Sequence, residues 1–201
     1  MSSAVVSQNE NSWFDTDVQF HNLYPPSIRS LAVRHWTPLH VTRRVVQYLT
    51  PAGNDNVLDI GSGVGKFCLA AAYLAPSASF FGIEQRNDLV GHAETARKAL
   101  RLSNVRLIHG NFTQLNFKLF NHFYFYNAFY ENLIDTEKID DSIDYSVELY
   151  NYYNRQLYNK LKEMPSLTRV VTFHSLGEEM PSSYQLVEAQ MDDLLKFWIK
   201  K

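Results

Sequence analysis

The sequence predicts an α/β fold in which a central, mostly parallel sheet is covered by helices on both faces. Two observations predict this fold. Short apolar strand patterns alternate with amphipathic helical patterns along most of the chain, which is typical of parallel sheets. The last two strand patterns, residues 184–189 and 194–200, follow each other with no room for a helix between them. We therefore expect five parallel strands closed by a C-terminal antiparallel hairpin, seven strands in all.

Each element has its own pattern. The first strand leads into a glycine-rich turn and an alanine-rich helix, and the fourth consists almost wholly of aromatic residues. Helices are indicated by apolar residues at a helical period, such as Leu89, Ala93, Ala96 and Leu100. The five predicted parallel strands cover residues 57–60, 78–84, 105–111, 120–126 and 169–175, and the helical patterns cover residues 41–49, 89–100 and 150–161.

Length and composition predict one globular domain. The chain has 201 residues, of which 45% are hydrophobic and 20% charged, so disorder is disfavoured. Residues 1–28 are polar and proline-containing, and we interpret them as an irregular N-terminal arm that precedes a single domain over residues 29–201. The start of the chain lacks a secretory pattern, and no segment approaches the ~20 apolar residues of a membrane span. A cytoplasmic protein without a membrane partner is therefore expected.

Charge and cysteine content limit the possible partners. The formal net charge is −2, whereas proteins that grip a nucleic-acid backbone usually carry a basic excess or stripe. The single cysteine, Cys68, excludes an intrachain disulfide and a Cys-x-x-Cys zinc site, and we expect it in the core. The histidines lack the spacing of metal ligands, so no metal is predicted.

The most informative motif is the glycine loop after the first strand, Val57-Leu-Asp-Ile-Gly-Ser-Gly-Val-Gly65. Glycine is needed where the backbone takes positive φ or lies against a ligand. The spacing differs from the Gly-x-Gly-x-x-Gly fingerprint of dinucleotide sites, and Asp59 would repel a pyrophosphate. A carboxylate there suits the cationic amino group of a cofactor such as S-adenosylmethionine. The alternative is that the glycines only make a tight strand-to-helix turn.

A second carboxylate, Glu84, ends the next predicted strand about 20 residues beyond the glycines, the interval expected for a ribose-binding acid. An ionised carboxylate can accept hydrogen bonds from both ribose hydroxyls. The loop and Glu84 together predict a nucleoside-containing cofactor.

From residue 30 to 201 the chain resembles the class I S-adenosylmethionine-dependent methyltransferases, whose sheet has this Rossmann-like seven-stranded order. Four motifs also resemble those of the disruptor-of-telomeric-silencing family, the non-SET lysine methyltransferases, and its small bacterial relatives. These motifs are Asp59-Ile-Gly-Ser-Gly-Val-Gly-Lys66, Gly82-Ile-Glu84, Gly110-Asn-Phe112 and Tyr126-Asn-Ala-Phe-Tyr130, and the threonine loop of that family corresponds to Trp36-Thr37-Pro38.

The resemblance implies S-adenosylmethionine as the methyl donor. It implies that Asp59, Gly61, Glu84 and Asn127 hold the donor and that Thr37 forms part of a lid. Asn111 stands where the family has an aspartate that accepts from the adenine amino group; its amide oxygen can still accept, without the charge assistance. The remaining residues predicted to contact the donor lie in the same motifs: Ser62, Gly63, Gly65, Lys66, Gln85 and Phe112.

The segment after the fourth strand is predicted to be catalytic. Asn127 ends an apolar strand at the carboxyl edge of the sheet, where open α/β proteins bind ligands. The run Asn127-Ala-Phe-Tyr130 is similar to the Asn-Pro-Pro-Tyr motif of amino methyltransferases, which implies that Asn127 holds the acceptor. Tyr130 could contribute an aromatic face to the acceptor pocket or pack structurally, and both readings stay open.

The sequence therefore predicts a methyltransferase with a nitrogen acceptor on a protein side chain or a small molecule. The acidic balance disfavours duplex nucleic acid but does not exclude an RNA acceptor. Two alternatives are left open: a non-catalytic domain that binds S-adenosylmethionine for sensing or partner binding, and a nicotinamide or flavin oxidoreductase, which the loop spacing disfavours. The oligomeric state is not determined.

Overall fold

A computed structural model describes residues 12–133 and 138–201. Its centre is a seven-stranded sheet in the order β3-β2-β1-β4-β5-β7-β6. The strands are β1 (Asn56–Ile60), β2 (Ser79–Glu84), β3 (Val105–His109), β4 (His122–Tyr126), β5 (Arg169–Phe173), β6 (Tyr184–Gln190) and β7 (Leu195–Lys200).

The pairing confirms the predicted fold class. β1 lies between β2 and β4, and all pairs from β3 to β5 are parallel. β7 runs antiparallel to both β5 and β6, so the chain ends in the expected hairpin. The order of the parallel strands reverses at β1, because β2 lies on one side of it and β4 on the other. Ligands of open α/β sheets bind at such a point, beyond the carboxyl ends of the strands.

Helices cover both faces of the sheet. Longer helices connect the strands, and three short ones precede the first long helix. Within the described residues, every helix is too short or too polar to cross a membrane. The α-helices are α1 (Asp17–His21), α2 (Pro26–Arg29), α3 (Ala32–His35), α4 (Leu39–Leu49), α5 (Lys66–Leu74), α6 (Asn87–Ala99) and α7 (Val147–Lys162).

The aromatic strand β4 builds the core on both faces, because successive side chains of a strand point to opposite sides. Tyr124 belongs to the apolar cluster under α4 and α5, where Phe67 stacks on it with ring centroids 4.0 Å apart. Phe123 and Phe125 belong to the cluster under α7, where Phe117 stacks on Phe123 at 4.8 Å. The aromatic run is therefore a buried central strand, as its composition predicts.

The N-terminal segment differs from its prediction. Residues 1–11 of the predicted irregular arm lie outside the described residues, but residues 12–28 are not irregular. They contain a 3₁₀ turn (Ser12–Phe14), α1 and most of α2, and Thr16 caps α1 by accepting from the Gln19 amide. Phe20 is fully buried in the main core, and Phe14 stacks on Tyr73 of α5. The polar composition hid this packing, because single aromatic anchors spaced along a polar segment give no helical period.

Candidate functional site

A cavity of about 530 Å³ lies at the carboxyl edge of the sheet, beyond the ends of β1, β2 and β4. It is bounded by the glycine loop, by the end of β2 and by the segment after β4. The predicted site residues that line it are Gly61, Gly63, Glu84, Gln85, Phe112, Asn127 and Tyr130. The sequence therefore identified much of the wall from motifs that are far apart along the chain.

The glycine loop brings two walls of this cavity into contact. Gly61 has φ of +76°, and a Cβ atom built on it would lie 2.2 Å from the Cβ of Ala128, in the segment after β4. Both the conformation and the close approach require glycine. Gly63, also at positive φ, donates its amide to the Glu84 carboxylate over 3.1 Å.

Glu84 is buried at the end of β2, with 5% of its surface exposed. Its Oε2 accepts from Gly63, and its Oε1 accepts from the Arg86 amide at 2.9 Å and from Arg86 Nη1 at 3.4 Å. A carboxylate has about four acceptor positions, so Glu84 retains capacity for at least one further donor. This geometry is compatible with its predicted role as a ribose ligand.

Arg86 is a site residue that the sequence reasoning missed. Besides Glu84, its guanidinium reaches Glu131, Asp140 and Tyr145, which lie beyond β4. Burial lowers the pKa of Arg86, but the carboxylates of Glu131 and Glu84 and the Tyr145 hydroxyl more than offset this, so the pKa is raised overall. The sequence signal that could have identified Arg86 as a site residue is its position two residues after Glu84. Nothing in the sequence indicates its contacts with residues beyond β4.

Asp59 lies beneath the loop and is not among the residues that line the cavity. It is 4% exposed, and the Cys68 thiol donates to it over 3.6 Å. Burial raises the pKa of Asp59 to about 8; the Cys68 hydrogen bond opposes this rise, and the nearby Glu84 carboxylate adds to it. The side chain is thus largely protonated at pH 7, which disfavours a direct charge contact with a cofactor. Its role as a donor ligand stays a prediction.

Thr37 and Lys66 also lie away from the cavity wall. The Thr37 hydroxyl is buried and bonds with the Tyr124 hydroxyl at 2.9 Å. Lys66, the first residue of α5, forms an ion pair with Asp17 and lies 3.1 Å from His21 Nε2. Lys66 thus ties the N-terminal segment to α5, and Thr37 is bonded to β4. Their predicted roles at the donor stay predictions.

Asn111, Ser62 and Gly65 are not among the residues that line the cavity, and they lie next to residues that do. Asn111 Oδ1 accepts from the amide and the hydroxyl of Thr113, and its Nδ2 donates to Gln85 Oε1 over 3.0 Å. The amide oxygen that was expected to face an adenine is therefore engaged within the chain, and Asn111 orients Gln85 instead. The Gly65 amide donates to the Ser62 carbonyl over 2.8 Å, which closes the loop.

Asn127 lines the cavity in a left-handed conformation, with φ of +45°. Its carbonyl accepts from the Tyr130 amide over 3.1 Å, so the segment turns directly after the strand. Phe129 is buried and stacks on Phe112, whereas Tyr130 is 38% exposed at the cavity. His35 lines the same cavity, and burial lowers its pKa, with Glu131 opposing and Arg86 assisting the decrease.

Comparison with known proteins supports this fold. A family model described as "Putative methyltransferase" matches residues 54–128, which include the glycine loop, Glu84 and Asn127. An RNA methyltransferase from Salinibacter ruber, solved with S-adenosyl-L-homocysteine, is 21% identical with a TM-score of 0.55 over 82% of this chain and 93% of that chain. A precorrin-6y C5,15-methyltransferase from Geobacter metallireducens is 13% identical with a TM-score of 0.55, over 84% and 91%. The chain thus has the class I methyltransferase fold, and the comparisons support S-adenosylmethionine as its cofactor.

Curated relatives include tRNA (guanine-N(7)-)-methyltransferases. That of Microcystis aeruginosa is 46% identical over 54 residues, 27% of this chain and 26% of its own. That of Synechococcus sp. strain JA-3-3Ab is 40% identical over 77 residues, 38% and 29%. That of Nostoc sp. is 33% identical over 84 residues, 42% and 38%. The matches therefore span well under half the length of these relatives.

These relatives correct two expectations from the sequence. The finer resemblance to the disruptor-of-telomeric-silencing family is replaced by similarity to tRNA methyltransferases. The expectation that nucleic acid is a disfavoured partner was wrong, since the relatives are tRNA enzymes by name. It rested on a net charge of −2, which averages over the whole surface and does not report charge near a site.

Proposed function

We propose that this chain is an S-adenosylmethionine-dependent methyltransferase whose acceptor is N7 of guanine in a tRNA. The observation that carries the proposal is a single cavity lined by the glycine loop, the Glu84 carboxylate and Asn127. The tRNA methyltransferases to which parts of the chain align support the choice of acceptor.

The residues present fit the donor. The cavity volume of about 530 Å³ lies within the range of about 300–1,000 Å³ for small-molecule sites. Glu84 would accept from the ribose hydroxyls, and Phe112 offers an apolar surface to the adenine. The absence of a side chain at Gly61 lets the loop backbone lie directly against Ala128, and both residues line the cavity that would hold the ligand.

The donor, when bound, supplies a methyl group already activated on a sulfonium, so the chain has to hold the nucleophile about 3 Å away and in line. Guanine N7 has a lone pair and no proton to remove, so this reaction needs no general base at the attacking atom. Burial lowers the pKa of His35, which lines the cavity, but this reaction leaves its imidazole no proton to accept from N7.

Asn127, which lines the cavity, would orient the base. Guanine presents O6 and N7 as adjacent acceptors on one edge, and an asparagine amide that donates to O6 would leave N7 exposed for attack. Tyr130, 38% exposed at the cavity, offers a ring on which an unstacked base can lie. Methylation makes the base cationic while the sulfonium loses its positive charge, so the net charge in the cavity is unchanged by the transfer.

The test is methyl transfer from labelled S-adenosylmethionine to bulk tRNA, to ribosomal RNA and to a protein extract that has been treated with nuclease. We expect label in tRNA, at a guanine whose N7 methylation makes the chain cleavable by borohydride and aniline. Label confined to ribosomal RNA or protein would overturn the tRNA acceptor and leave the methyltransferase activity in place.

A matched pair of variants tests the donor site. Glu84→Gln removes the carboxylate expected to bind the ribose, whereas Glu94→Gln alters a carboxylate of α6 that pairs with Arg97 and does not line the cavity. Calorimetric titration with S-adenosylmethionine should show weaker binding for Glu84→Gln and wild-type binding for Glu94→Gln. If the wild-type protein binds no donor, the methyltransferase proposal itself is wrong.

A further inference from the structure

Arg86 joins two parts of the cavity that are far apart along the chain. On one side its amide and its Nη1 donate to Glu84, at the end of β2. On the other side it reaches residues 130–133 and 138–145, here called the capping segment. There Nη2 donates to Glu131 and, over 2.6 Å, to the Tyr145 hydroxyl, and Nε donates to Asp140 over 3.2 Å.

The capping segment forms a wall of the cavity and is held together around this guanidinium. Ile139, Ile143 and Tyr145 line the cavity. The Tyr145 hydroxyl lies 3.0 Å from Glu131 Oε2 and 2.7 Å from the Asp140 carbonyl oxygen. The planar guanidinium of Arg86 has five N–H donors in a fixed arrangement, so it can donate to Glu84, Glu131, Asp140 and Tyr145 at once. A lysine ammonium has three donors and cannot.

The bridge is compatible with a bound donor. Glu84 keeps at least one acceptor position beside its bonds to Gly63 and Arg86, so a ribose hydroxyl can bind without displacing the guanidinium. The 3.4 Å contact from Arg86 Nη1 is the longest of the three, so it is the one that would shorten when a bound ribose fixes the Glu84 carboxylate. A ligand at Glu84 would therefore be sensed directly by the group that holds the capping segment.

We propose that Arg86 is a positioning residue that couples occupancy of the donor site to the order of the capping segment, and so to the acceptor side of the cavity. This inference rests on the proposed function. A donor bound to Glu84 restrains the guanidinium at Nη1, the nitrogen that faces Glu84. Nη2 then holds Glu131 and Tyr145 more tightly. Glu131 directly follows Tyr130, so the coupling reaches the wall that faces the acceptor.

The experiment measures hydrogen exchange at the amides of residues 138–145, with and without saturating S-adenosylmethionine, beside calorimetric donor binding. In the wild-type protein the donor should slow exchange by a factor within the roughly 5- to 150-fold range of coupled sites. Arg86→Lys keeps the charge and loses the fork, so this slowing should disappear. Since coupling is reciprocal, the donor affinity of Arg86→Lys should fall by the same factor.

Two further variants keep the test decisive. Tyr145→Phe removes one hydroxyl from the capping segment and does not touch Glu84, so it should reduce the slowing in part even if Arg86→Lys fails to fold. Arg97→Lys is the matched control, because Arg97 pairs with Glu94 on α6 and donates to the Leu102 carbonyl beyond the end of that helix. It should behave as the wild type in both measurements.

The outcomes separate the inference from the function on which it rests. Donor binding to the wild type without slower exchange, or a slowing that survives in Arg86→Lys beside a weaker donor affinity, would overturn the coupling and leave the methyltransferase proposal in place. The second result would mean that Arg86 acts only on Glu84. Absence of donor binding to the wild type would instead overturn the proposed function.

Discussion

Gly61 and Ala128 touch across the floor of the cavity. A Cβ atom at position 61 would lie 2.2 Å from the Cβ of Ala128. The contact joins the loop after β1 to the segment after β4, so two walls of the cavity share one fixed point. The position of the loop after β1 relative to the segment after β4 therefore depends on the absence of a side chain at residue 61.

Replacing Gly61 by alanine should disable the site. The left-handed φ of +76° alone costs a non-glycine residue about 1–3 kcal/mol, and the collision with Ala128 adds to that cost. We expect a lower free energy of unfolding in a urea titration and donor binding that calorimetry no longer detects. Gly91→Ala, in the middle of α6 with open space around it, should instead raise stability by about 0.5–1 kcal/mol.

The double variant Gly61→Ala with Ala128→Gly separates the two costs. It removes the collision and leaves the backbone strain, so part of the lost stability should return. Full recovery would mean that the φ angle carries no cost, and no recovery would mean that the approach of the two segments is unimportant.

The side chain of Asn127 should be required for methyl transfer. Asn127→Ala should cut methyl transfer sharply while donor affinity stays within about tenfold, a change of about 1.4 kcal/mol. Alanine also strains the backbone, because Asn127 has φ of +45° and asparagine tolerates this region better. Asn127→Gly removes the side chain without the strain. Both variants should lose turnover in steady-state assays; activity in the glycine variant alone would assign the effect to the backbone.

Asp59 should make stability fall as pH rises. Burial raises its pKa from 3.8 to about 8, so between these values the folded protein keeps a proton that the unfolded chain has lost. The free energy of unfolding then decreases with pH, by about 1.4 kcal/mol per pH unit for one proton. Asp59→Asn has no proton to lose. Its stability relative to the wild type should improve from pH 5 to pH 8, as measured by urea titration.

The control for this pH dependence is Asp192→Asn, at an exposed turn residue with positive φ that asparagine accepts. Its stability should follow the wild type at every pH. Parallel curves for Asp59→Asn and the wild type would contradict the raised pKa, since they would mean that Asp59 is ionised in the folded protein.

The pair of Lys66 and Asp17 should respond unequally to loss of either partner. The Lys66 side chain is 4% exposed and that of Asp17 is 38% exposed. Asp17→Asn strands a buried ammonium, whereas Lys66→Met leaves a carboxylate that water can reach. Asp17→Asn should therefore destabilise the protein more, by about 1.5–3 kcal/mol, the range for hydrogen bonds to charged groups. The double variant should resemble Lys66→Met.

Thermal or urea unfolding measures this difference, and limited proteolysis reports its location. Because Lys66 and Asp17 hold the segment of residues 12–38 against α5, Asp17→Asn should expose that segment to cleavage before the rest of the domain. Equal loss of stability in the two single variants would contradict the argument from burial.

The elements, and the part of the cavity wall formed by the glycine loop and Glu84, could be predicted because their signals are local. Alternating apolar residues set the strands, and the spacing from the glycine loop to Glu84 follows from one strand, one helix and one more strand. The contacts of Thr37, Lys66 and Asn111 could not be predicted in this way. Each lies in a motif at the expected place, but its partner, Tyr124, Asp17 or Gln85, comes from another part of the chain.

By itself, the sequence determined the five parallel strands and the terminal hairpin, the loop at Gly61 and the carboxylate at Glu84, because periodicity and glycine spacing are properties of short stretches of chain. Only the tertiary structure decided that Asp59 is buried and largely protonated, that residues 12–28 pack on the core, and that Arg86 joins Glu84 to Glu131. Desolvation and ion pairing depend on which groups meet in space, and that is fixed only when the strands come together.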